Sequence, residues 1–312
     1  MLLKGKTNKN NSIKHMKLTR TQREKVTALL LVLPALVFLI GLIAYPLIQV
    51  LFDGFQFKNL VNVNVSGFAG LDNFKEVILN EHFFKALKNT IIWTVFSVLG
   101  EYILGMFTAI LLNQKVKGIG IFRVLVIIPW LVPIIVAGMT WSWMLNPDYG
   151  IVNFLMIKTG IIETAIYWLG EQNTALFTIV IVNIWRSFPF FTISILAALQ
   201  AIPFDISEAA SIDGAGIISR FFKITLPQLK SVSIALITIH VIWTAINFDF
   251  IWIMTQGGPY YSTETLPLMI YRYAMKEYNI GAASALASMI MMVMTVIFVF
   301  YYAQKSKMES ND

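Results

Sequence analysis

The stretch DISEAASIDGAGIISRFFKITLPQ, residues 205–228, is a polar, small-residue segment between two long apolar runs. Glu208 places an acid in the first turn of a predicted helix, where the helix dipole favours negative charge. Gly214 and Gly216 favour a break, since glycine costs about 1 kcal/mol relative to alanine inside a helix. Pro227 favours an end to the more apolar second half. The segment is therefore predicted to form two short helices joined at a glycine elbow.

The composition places the chain outside the soluble range. Hydrophobic residues make up 57% of its 312 residues, charged residues make up 13%, and the mean hydropathy is +0.70. A soluble domain has no way to bury that much apolar surface, so a bilayer must act as its solvent. The net charge of +7 resides in residues 1–25, which hold eight Lys and Arg residues against one acid. This basic tail suits an anionic membrane leaflet, and no nucleic-acid role follows from it.

Six apolar runs predict an all-α membrane protein with six transmembrane helices. The runs lie at 26–52, 90–112, 121–145, 174–200, 231–254 and 280–303. Each is long enough to cross a hydrocarbon core of about 30 Å. The first run is too long for the apolar part of a cleaved signal peptide, so we expect a retained anchor. The chain then divides into a basic cytoplasmic tail (1–25), a six-span membrane domain (26–303) and a short polar tail (304–312).

The distribution of Lys and Arg predicts the orientation of these spans. With a cytoplasmic N-terminus, the inner segments hold 16 of these residues and the outer segments hold 7. Cytoplasmic loops carry an excess of Lys and Arg, so both termini are expected on the cytoplasmic side of the cell membrane. Because successive spans alternate in direction, the same orientation places the segment 205–228, which follows the fourth run, in the cytoplasm.

The sequence contains no recognisable catalytic set. It has no Walker A pattern to hold ATP phosphates and no cysteine for thiolate chemistry or metal binding. His15, His82 and His240 lie in unrelated segments, which argues against a histidine metal site or triad. An acid pair formed by Glu101 and Asp249 is the enzymatic alternative. We therefore expect a chain that is not an enzyme and has no cofactor and no metal of its own.

Glu101, Arg186 and Asp249 are ionisable residues that lie well inside three of the spans. Insertion scales assign a charge at a helix centre a cost of roughly 2.5–3.5 kcal/mol, so such groups should face a cavity or each other. Arg186 is expected either to pair with Glu101 or Asp249 as a structural bridge, or to present a cation to a solute.

Three fragments of the segment 205–228 stand in a fixed order: Glu208-Ala209-Ala210, Asp213-Gly214-Ala215-Gly216 and Ile224-Thr225-Leu226-Pro227. Their order and their place among the spans resemble the EAA loop of permease subunits of binding-protein-dependent ABC importers. In that family the cytoplasmic loop docks into a groove on the ATP-hydrolysing subunit. The resemblance therefore implies ATPase-coupling roles for Glu208, Ala209, Ala210, Asp213, Gly214 and Gly216.

Other fragments extend the resemblance over nearly the whole chain from about Thr27. They include Leu71-Asp72-Asn73-Phe74, Asn146-Pro147, Val182-Asn183-Ile184-Trp185, Gly257-Gly258-Pro259 and Thr263-Glu264-Thr265. These fragments look like the oligosaccharide branch of the family and are similar to the membrane subunits of maltose transporters. The resemblance implies a type I importer fold and several partners. They are a second homologous permease subunit, two subunits that bind ATP and Mg, and an extracytoplasmic solute-binding protein.

In the maltose-transporting type, two neighbouring helices hold the sugar midway across the bilayer. The resemblance carries this substrate-binding role onto Asn183, Arg186, Ser187, Phe190, His240, Trp243, Thr244 and Asn247. Amides and hydroxyls both donate and accept hydrogen bonds to sugar hydroxyls, and aromatic faces cover a pyranose ring. The alternative is that these residues are ordinary polar bridges between helices.

Arg186 departs from the maltose type, which has an apolar residue at this position. A guanidinium binds a carboxylate through two parallel hydrogen bonds, so a uronate-containing or otherwise acidic oligosaccharide becomes the substrate hypothesis. Glycerol phosphate or another small polar solute is the alternative within the class. An ion-driven secondary sugar transporter would predict internal repeats with matched helix breaks, and the sequence shows neither. A membrane scaffold without transport activity would not require a polar midplane.

Overall fold

The computed structural model describes residues 20–62, 66–114, 116–203, 206, 210 and 214–309. The predicted coupling residues Glu208, Ala209 and Asp213 lie outside the described residues, as does most of the basic tail. The chain divides into two compact units, residues 1–49 and residues 50–312.

The first unit is dominated by one long apolar helix. Helix α1 (Arg20–Leu39) continues through a π-helical turn (Ile40–Ala44) into α2 (Tyr45–Asp53). The stretch Thr27–Asp53 is long and apolar enough to cross a membrane, close to the predicted run 26–52, and its most apolar part is fully exposed. Its surface is therefore left for lipid or for another subunit.

A small hairpin follows the first span. Strand β1 (Gln56–Lys58) pairs antiparallel with β2 (Ser66–Phe68). Asn73, at the start of helix α3 (Asp72–Leu79), donates to two carbonyl groups beside β1 at 2.9 and 2.8 Å. A side-chain amide far along the chain thus fixes strands that are too short to show a sequence pattern.

The centre of the second unit is a close pair of unbroken helices, α4 (Phe83–Leu112) and α8 (Ala175–Ala201). Glycines let the two backbones approach. A Cβ atom at Gly100 would lie 2.3 Å from the side chain of Ile184, and one at Gly105 would lie 2.4 Å from Cβ of Phe191. Small residues permit this packing between membrane helices.

The third predicted run is broken rather than gently kinked. Helices α5 (Ile119–Leu131) and α6 (Ile134–Met144) meet at an angle of 91°. Val132 is extended, because the proline that follows it disfavours helical backbone at the preceding residue. Within the described residues there are four unbroken candidate spans, or up to six if each of two bent pairs counts as one.

The second bent pair follows the glycine elbow. It consists of α9 (Ile217–Arg220), a π-helical turn (Phe221–Thr225), α10 (Leu226–Gln228) and α11 (Lys230–Ala245), with a bend of 67°.

Gly214, which precedes this bent pair, and Pro227, which lies within it, were both predicted to interrupt the helix. Gly214 has a φ of +80°, a left-handed conformation that favours glycine, so the predicted elbow at this residue is confirmed. Pro227 lies one residue before the end of this helical stretch at Gln228, so the predicted end is confirmed to within one residue. The chain then bends at Leu229, whose side chain is buried.

The remaining elements are shorter, apart from the last helix. They are α7 (Ile151–Lys158), α12 (Asp249–Thr255), α13 (Leu266–Tyr271), a π-helical turn (Arg272–Lys276) and α14 (Ile280–Glu309). The fifth predicted run, 231–254, is thus interrupted between α11 and α12. The last helix continues past the predicted end of the sixth run at 303.

Candidate functional site

Three helices bring together one acid, one amide and one imidazole, here named the polar cluster: Glu101 of α4, Asn183 of α8 and His240 of α11. The Oε1 atom of Glu101 accepts a hydrogen bond from Nδ2 of Asn183 at 2.9 Å. Its Oε2 atom lies 2.8 Å from Nδ1 of His240. The side chain of Glu101 is 0% exposed and both partners are buried, so each carboxyl oxygen is satisfied inside the protein.

The polar cluster lies at the centre of the predicted run 90–112, where an unpartnered acid would be expensive. Nδ1 of His240 must carry a proton in order to donate to a carboxylate oxygen. The other ring nitrogen, Nε2, is buried and has no hydrogen-bond partner in the described part of the chain. The imidazole therefore keeps one polar atom that the described residues do not use.

Two further hydrogen bonds brace α4 against α11 on either side of the cluster. Nε1 of Trp93 donates to the carbonyl oxygen of Thr244 at 2.8 Å, and the hydroxyl of Tyr102 donates to Oγ of Ser233 at 3.0 Å. No sequence pattern pointed to Trp93, whereas Glu101 is the sole charged residue in the run 90–112. What the sequence analysis missed was that Glu101 joins three helices.

Arg186 lies one turn after Asn183 on α8. Its charge interacts electrostatically with Glu101, although the described residues contain no ion pair to Arg186 within 4.0 Å. Its Nε atom is buried without a hydrogen-bond partner. Asp249, the other predicted partner, is exposed at the start of α12. Arg186 therefore lies near a carboxylate whose two oxygens already take part in hydrogen bonds. The N–H groups of the Arg186 guanidinium stay available to another partner.

An aromatic face lies beside the polar cluster and comprises Trp130, Phe190 and Trp243. The ring of Phe190 lies 5.8 Å from that of Trp130 and 6.2 Å from that of Trp243, measured between centroids. The imidazole of His240 lies 5.1 Å from Phe190 and 5.6 Å from Trp243. Trp243 is 56% exposed, so this face is open to a partner or a solute.

Three other predicted site residues have different surroundings. Ser187 and Thr244 are buried, and the described contact of Thr244 is the carbonyl bond to Trp93. Oδ1 of Asn247 accepts the backbone N–H of Phe250 at 3.1 Å, which stabilises the first turn of α12 after the helix break. Five of the predicted site residues therefore lie together: Asn183, Arg186, Phe190, His240 and Trp243. The other three support helix packing and the helix break before α12. The substrate-binding role of all eight residues stays a prediction.

The predicted coupling residues are only partly described. Ala210, Gly214 and Gly216 are described, and the large apolar side chains that follow them point outward. Ile217 is 79% exposed, Ile218 is 75% exposed and Phe222 is 60% exposed. We name Ile217, Ile218 and Phe222 the apolar patch. Its size makes it a candidate contact surface for another protein.

A second charged group lies outside the spans, near α13. Nε of Arg272 donates to Oε1 of Glu264 at 2.9 Å, and Nη1 of Arg272 donates to Oε1 of Glu277 at 2.6 Å. Burial lowers the pKa of Arg272, but the hydrogen bonds and charges of both acids outweigh it, so this pKa is raised. Burial, followed by the charge of Glu277, raises the pKa of Tyr273 to about 12. At neutral pH, Arg272 is therefore a cation and Tyr273 is a neutral phenol.

Comparison with known proteins gives a family and several relatives. Residues 101–310 match the family described as "Binding-protein-dependent transport system inner membrane component". The trehalose/maltose transport system permease protein MalF of Thermococcus litoralis is 35% identical over 279 residues, covering 89% of this chain and 94% of the relative. The sulfoquinovosyl glycerol transport system permease protein SmoG of Agrobacterium fabrum is 33% identical over 264 residues, covering 85% of each chain.

The fold also matches a solved structure. A bacterial ABC transporter involved in the import of the acidic polysaccharide alginate contains a chain that superposes with a TM-score of 0.80. The match covers 91% of this chain and 96% of that chain, at 22% sequence identity. At that level of identity the likeness concerns the fold alone.

Proposed function

Since the chain belongs to the inner-membrane components of binding-protein-dependent transport systems, the permease subunits of ABC importers, we propose that it forms half of the translocation path for an oligosaccharide. The predicted all-α type I permease fold is confirmed by the family and by the solved structure. As a permease the chain is a multi-pass membrane subunit and not an enzyme, and ATP hydrolysis belongs to a separate subunit.

One observation carries the substrate part of the proposal: Arg186 and the aromatic face lie beside the polar cluster. Glu101 already has two hydrogen-bond donors, so Arg186 is free to bind an anion. Phe190 and Trp243 offer flat apolar surfaces of the kind that cover a sugar ring. Relatives named for trehalose, maltose and sulfoquinovosyl glycerol transport support a sugar as the solute.

The cation at Arg186 extends the proposal to an acidic oligosaccharide. A guanidinium binds a carboxylate bidentately, and this recognition is stronger where water is excluded. Glycerol phosphate or another small polar solute is the second candidate, because a phosphate group would fit the same cation. The choice between them depends on the aromatic face, which a glycerol phosphate would leave uncovered.

The coupling part of the proposal rests on the apolar patch. We propose that one of two ATP-binding subunits docks around residues 205–228, and that ATP-driven closure moves this segment and the spans attached to it. A second homologous permease would form the other half of the path, and an extracytoplasmic solute-binding protein would deliver the sugar. This arrangement requires both termini on the cytoplasmic side, as the Lys and Arg distribution predicts.

Uptake by the reconstituted importer tests the proposal. Arg186→Met should reduce uptake of an acidic oligosaccharide at least tenfold and leave uptake of a neutral oligosaccharide of equal length within twofold. Arg186→Lys, the control, keeps the charge and should retain part of the acidic uptake. Equal loss for both sugars in Arg186→Met would reject the acidic substrate. Absence of ATP-dependent uptake of any sugar by the wild type would reject the function.

A further inference from the structure

A cavity separate from the polar cluster lies among α12, α13 and the turn between them. Its volume is about 300 Å³. Its lining includes the aromatic rings of Trp252, Tyr260, Tyr261 and Tyr271, the amide of Gln256 and the ammonium-bearing side chain of Lys276. Known ligand pockets begin at about this volume, which suits one or two sugar units.

Neighbouring groups hold the aromatic walls of this cavity in place. The rings of Trp252 and Tyr271 lie 4.5 Å apart, and Phe248 packs against both, at 5.4 and 5.1 Å. Tyr261 stacks on His82 at 3.9 Å. Preorganised aromatic surfaces bind a flat apolar partner at little cost in side-chain entropy.

The charges around the cavity leave one cation available. Arg272 lines the cavity but is bonded to Glu264 and Glu277, so its charge is already paired, and the three groups together carry a net charge of −1. Lys276 is exposed, and its Nζ atom lies over the ring of Trp252 at 5.5 Å from the centroid. Within the described residues no carboxylate lies within 4.0 Å of Lys276. An anion entering this cavity would therefore contact the ammonium group of Lys276, which lies over the ring of Trp252.

The backbone around the cavity adopts conformations that side-chain-bearing residues rarely take. Gln256, Tyr260 and Tyr261 have φ values of 54°, 48° and 59°. Such left-handed residues are strained and cluster at binding sites, where the surrounding structure maintains them. All three residues line the cavity.

We propose that this cavity binds a sugar unit bearing a carboxylate, with Lys276 paired to the carboxylate and the rings of Trp252 and Tyr271 against the sugar. The inference rests on the proposed function, whose predicted orientation places the segment 256–279 on the extracytoplasmic side. The cavity then acts as a capture subsite, separate from Arg186. It holds an acidic oligosaccharide before the sugar reaches the polar cluster.

A fluorescent probe placed beside the cavity tests this proposal. The chain has no cysteine, so Met275→Cys provides a unique labelling position next to Lys276. The assembled importer, freed of other cysteines, is labelled in lipid nanodiscs and titrated with trigalacturonate or maltotriose in the absence of binding protein. We expect a saturable response whose midpoint for trigalacturonate is at least tenfold lower than that for maltotriose.

Matched lysine variants assign the response to the cavity. Lys276→Met should raise the trigalacturonate midpoint at least tenfold, and Lys276→Arg should restore most of the affinity. Lys158→Met is the control, because Lys158 also lies over an aromatic ring, at 5.7 Å from Phe154, in another segment. An unchanged midpoint in Lys276→Met, or equal midpoints for the acidic and neutral sugars, would overturn the proposal.

Uptake assays on the same variants, reconstituted into proteoliposomes, separate this inference from the proposed function. Uptake of acidic oligosaccharide without any probe response would reject the capture subsite while leaving the importer function intact. Absence of uptake of every sugar by the unlabelled wild type would count against the importer function, and the probe response of the labelled Met275→Cys variant would then decide the cavity alone.

Discussion

His240 and Glu101 are 139 positions apart in the chain, yet Nδ1 of the histidine lies 2.8 Å from Oε2 of the glutamate. This bond joins α11, which follows the coupling segment directly, to α4 in the centre of the bundle. Asn183 of α8 shares the same carboxyl group. A displacement of residues 205–228, the segment proposed to couple to the ATP-binding subunits, would therefore be transmitted to the polar cluster through α11 alone. The polar cluster lies beside the residues proposed to hold the sugar.

Truncation of Glu101 tests how strongly the polar cluster stabilises the fold. Glu101→Ala removes the acceptor of two buried donors, and the loss of one partner from such a group typically costs 3–5 kcal/mol. We expect a decrease of about that size in the free energy of unfolding, measured by denaturant titration in mixed micelles. Glu163→Ala, at an exposed position, should change it by less than about 0.5 kcal/mol. Similar values for both variants would show that the cluster is not a stabilising element.

A methyl group at Gly105 tests the contact between α4 and α8. The added Cβ of Gly105→Ala would lie 2.4 Å from Cβ of Phe191, so the helices must separate. Overpacking of this kind costs about 1–3 kcal/mol, which should appear as a lower thermal unfolding midpoint. Gly120→Ala is the matched control, since a Cβ there meets nothing within 4 Å. If Gly120→Ala were the more damaging variant, the packing described here would be wrong.

A charge in the apolar patch tests the proposed coupling contact. Ile217→Asp places a carboxylate on a side chain that is 79% exposed, so the fold should remain stable. Desolvating that charge in an interface should weaken association with the ATP-binding subunits at least tenfold and uncouple uptake from ATP hydrolysis. Co-purification and the ratio of ATP turnover to uptake measure both effects.

The control for the coupling variant lies in another predicted cytoplasmic loop. Val116 is also exposed, and Val116→Asp should leave association and uptake within twofold of the wild type. Unchanged association in Ile217→Asp would remove the apolar patch from the coupling surface.

Glu76 provides a pH-dependent test outside the spans. Burial, followed by the charge of Glu277, raises the pKa of Glu76 above its ordinary value, although a hydrogen bond from Asn279 opposes the shift. The folded state thus binds this proton more tightly than the unfolded state. The stability contribution is complete below the unfolded pKa and is lost as the pH rises through the folded pKa.

Replacement by glutamine should therefore stabilise the protein at high pH. Glu76→Gln keeps an acceptor for Asn279 and removes the charge, so it should unfold at a higher temperature than the wild type at pH 8. The gain should be a few tenths of a kcal/mol, because the side chain is largely exposed and screened by solvent. It should shrink as the pH falls toward 4. A gain of equal size at pH 4 would contradict the raised pKa, and Glu163→Gln should show no gain.

The sequence by itself determined the membrane class, the positions of the apolar runs and the glycine elbow at Gly214. These features depend on local properties: apolar length against bilayer thickness, and the φ values open to one residue type. The family resemblance was also contained in contiguous fragments around Glu208. Each of these signals lies within a short window, so no knowledge of distant neighbours was needed.

Only the tertiary structure decided what the polar residues of the spans touch. Glu101 bonds to Asn183 and His240, whereas Arg186 has no direct ion pair in the described chain; a pair with Glu101 or Asp249 was one of its two expected roles. The helix break before Asp249 and the cavity around Lys276 likewise arise from contacts between distant segments. Hydrogen bonds and ion pairs act over a few ångströms, and which side chains come that close depends on how the helices pack.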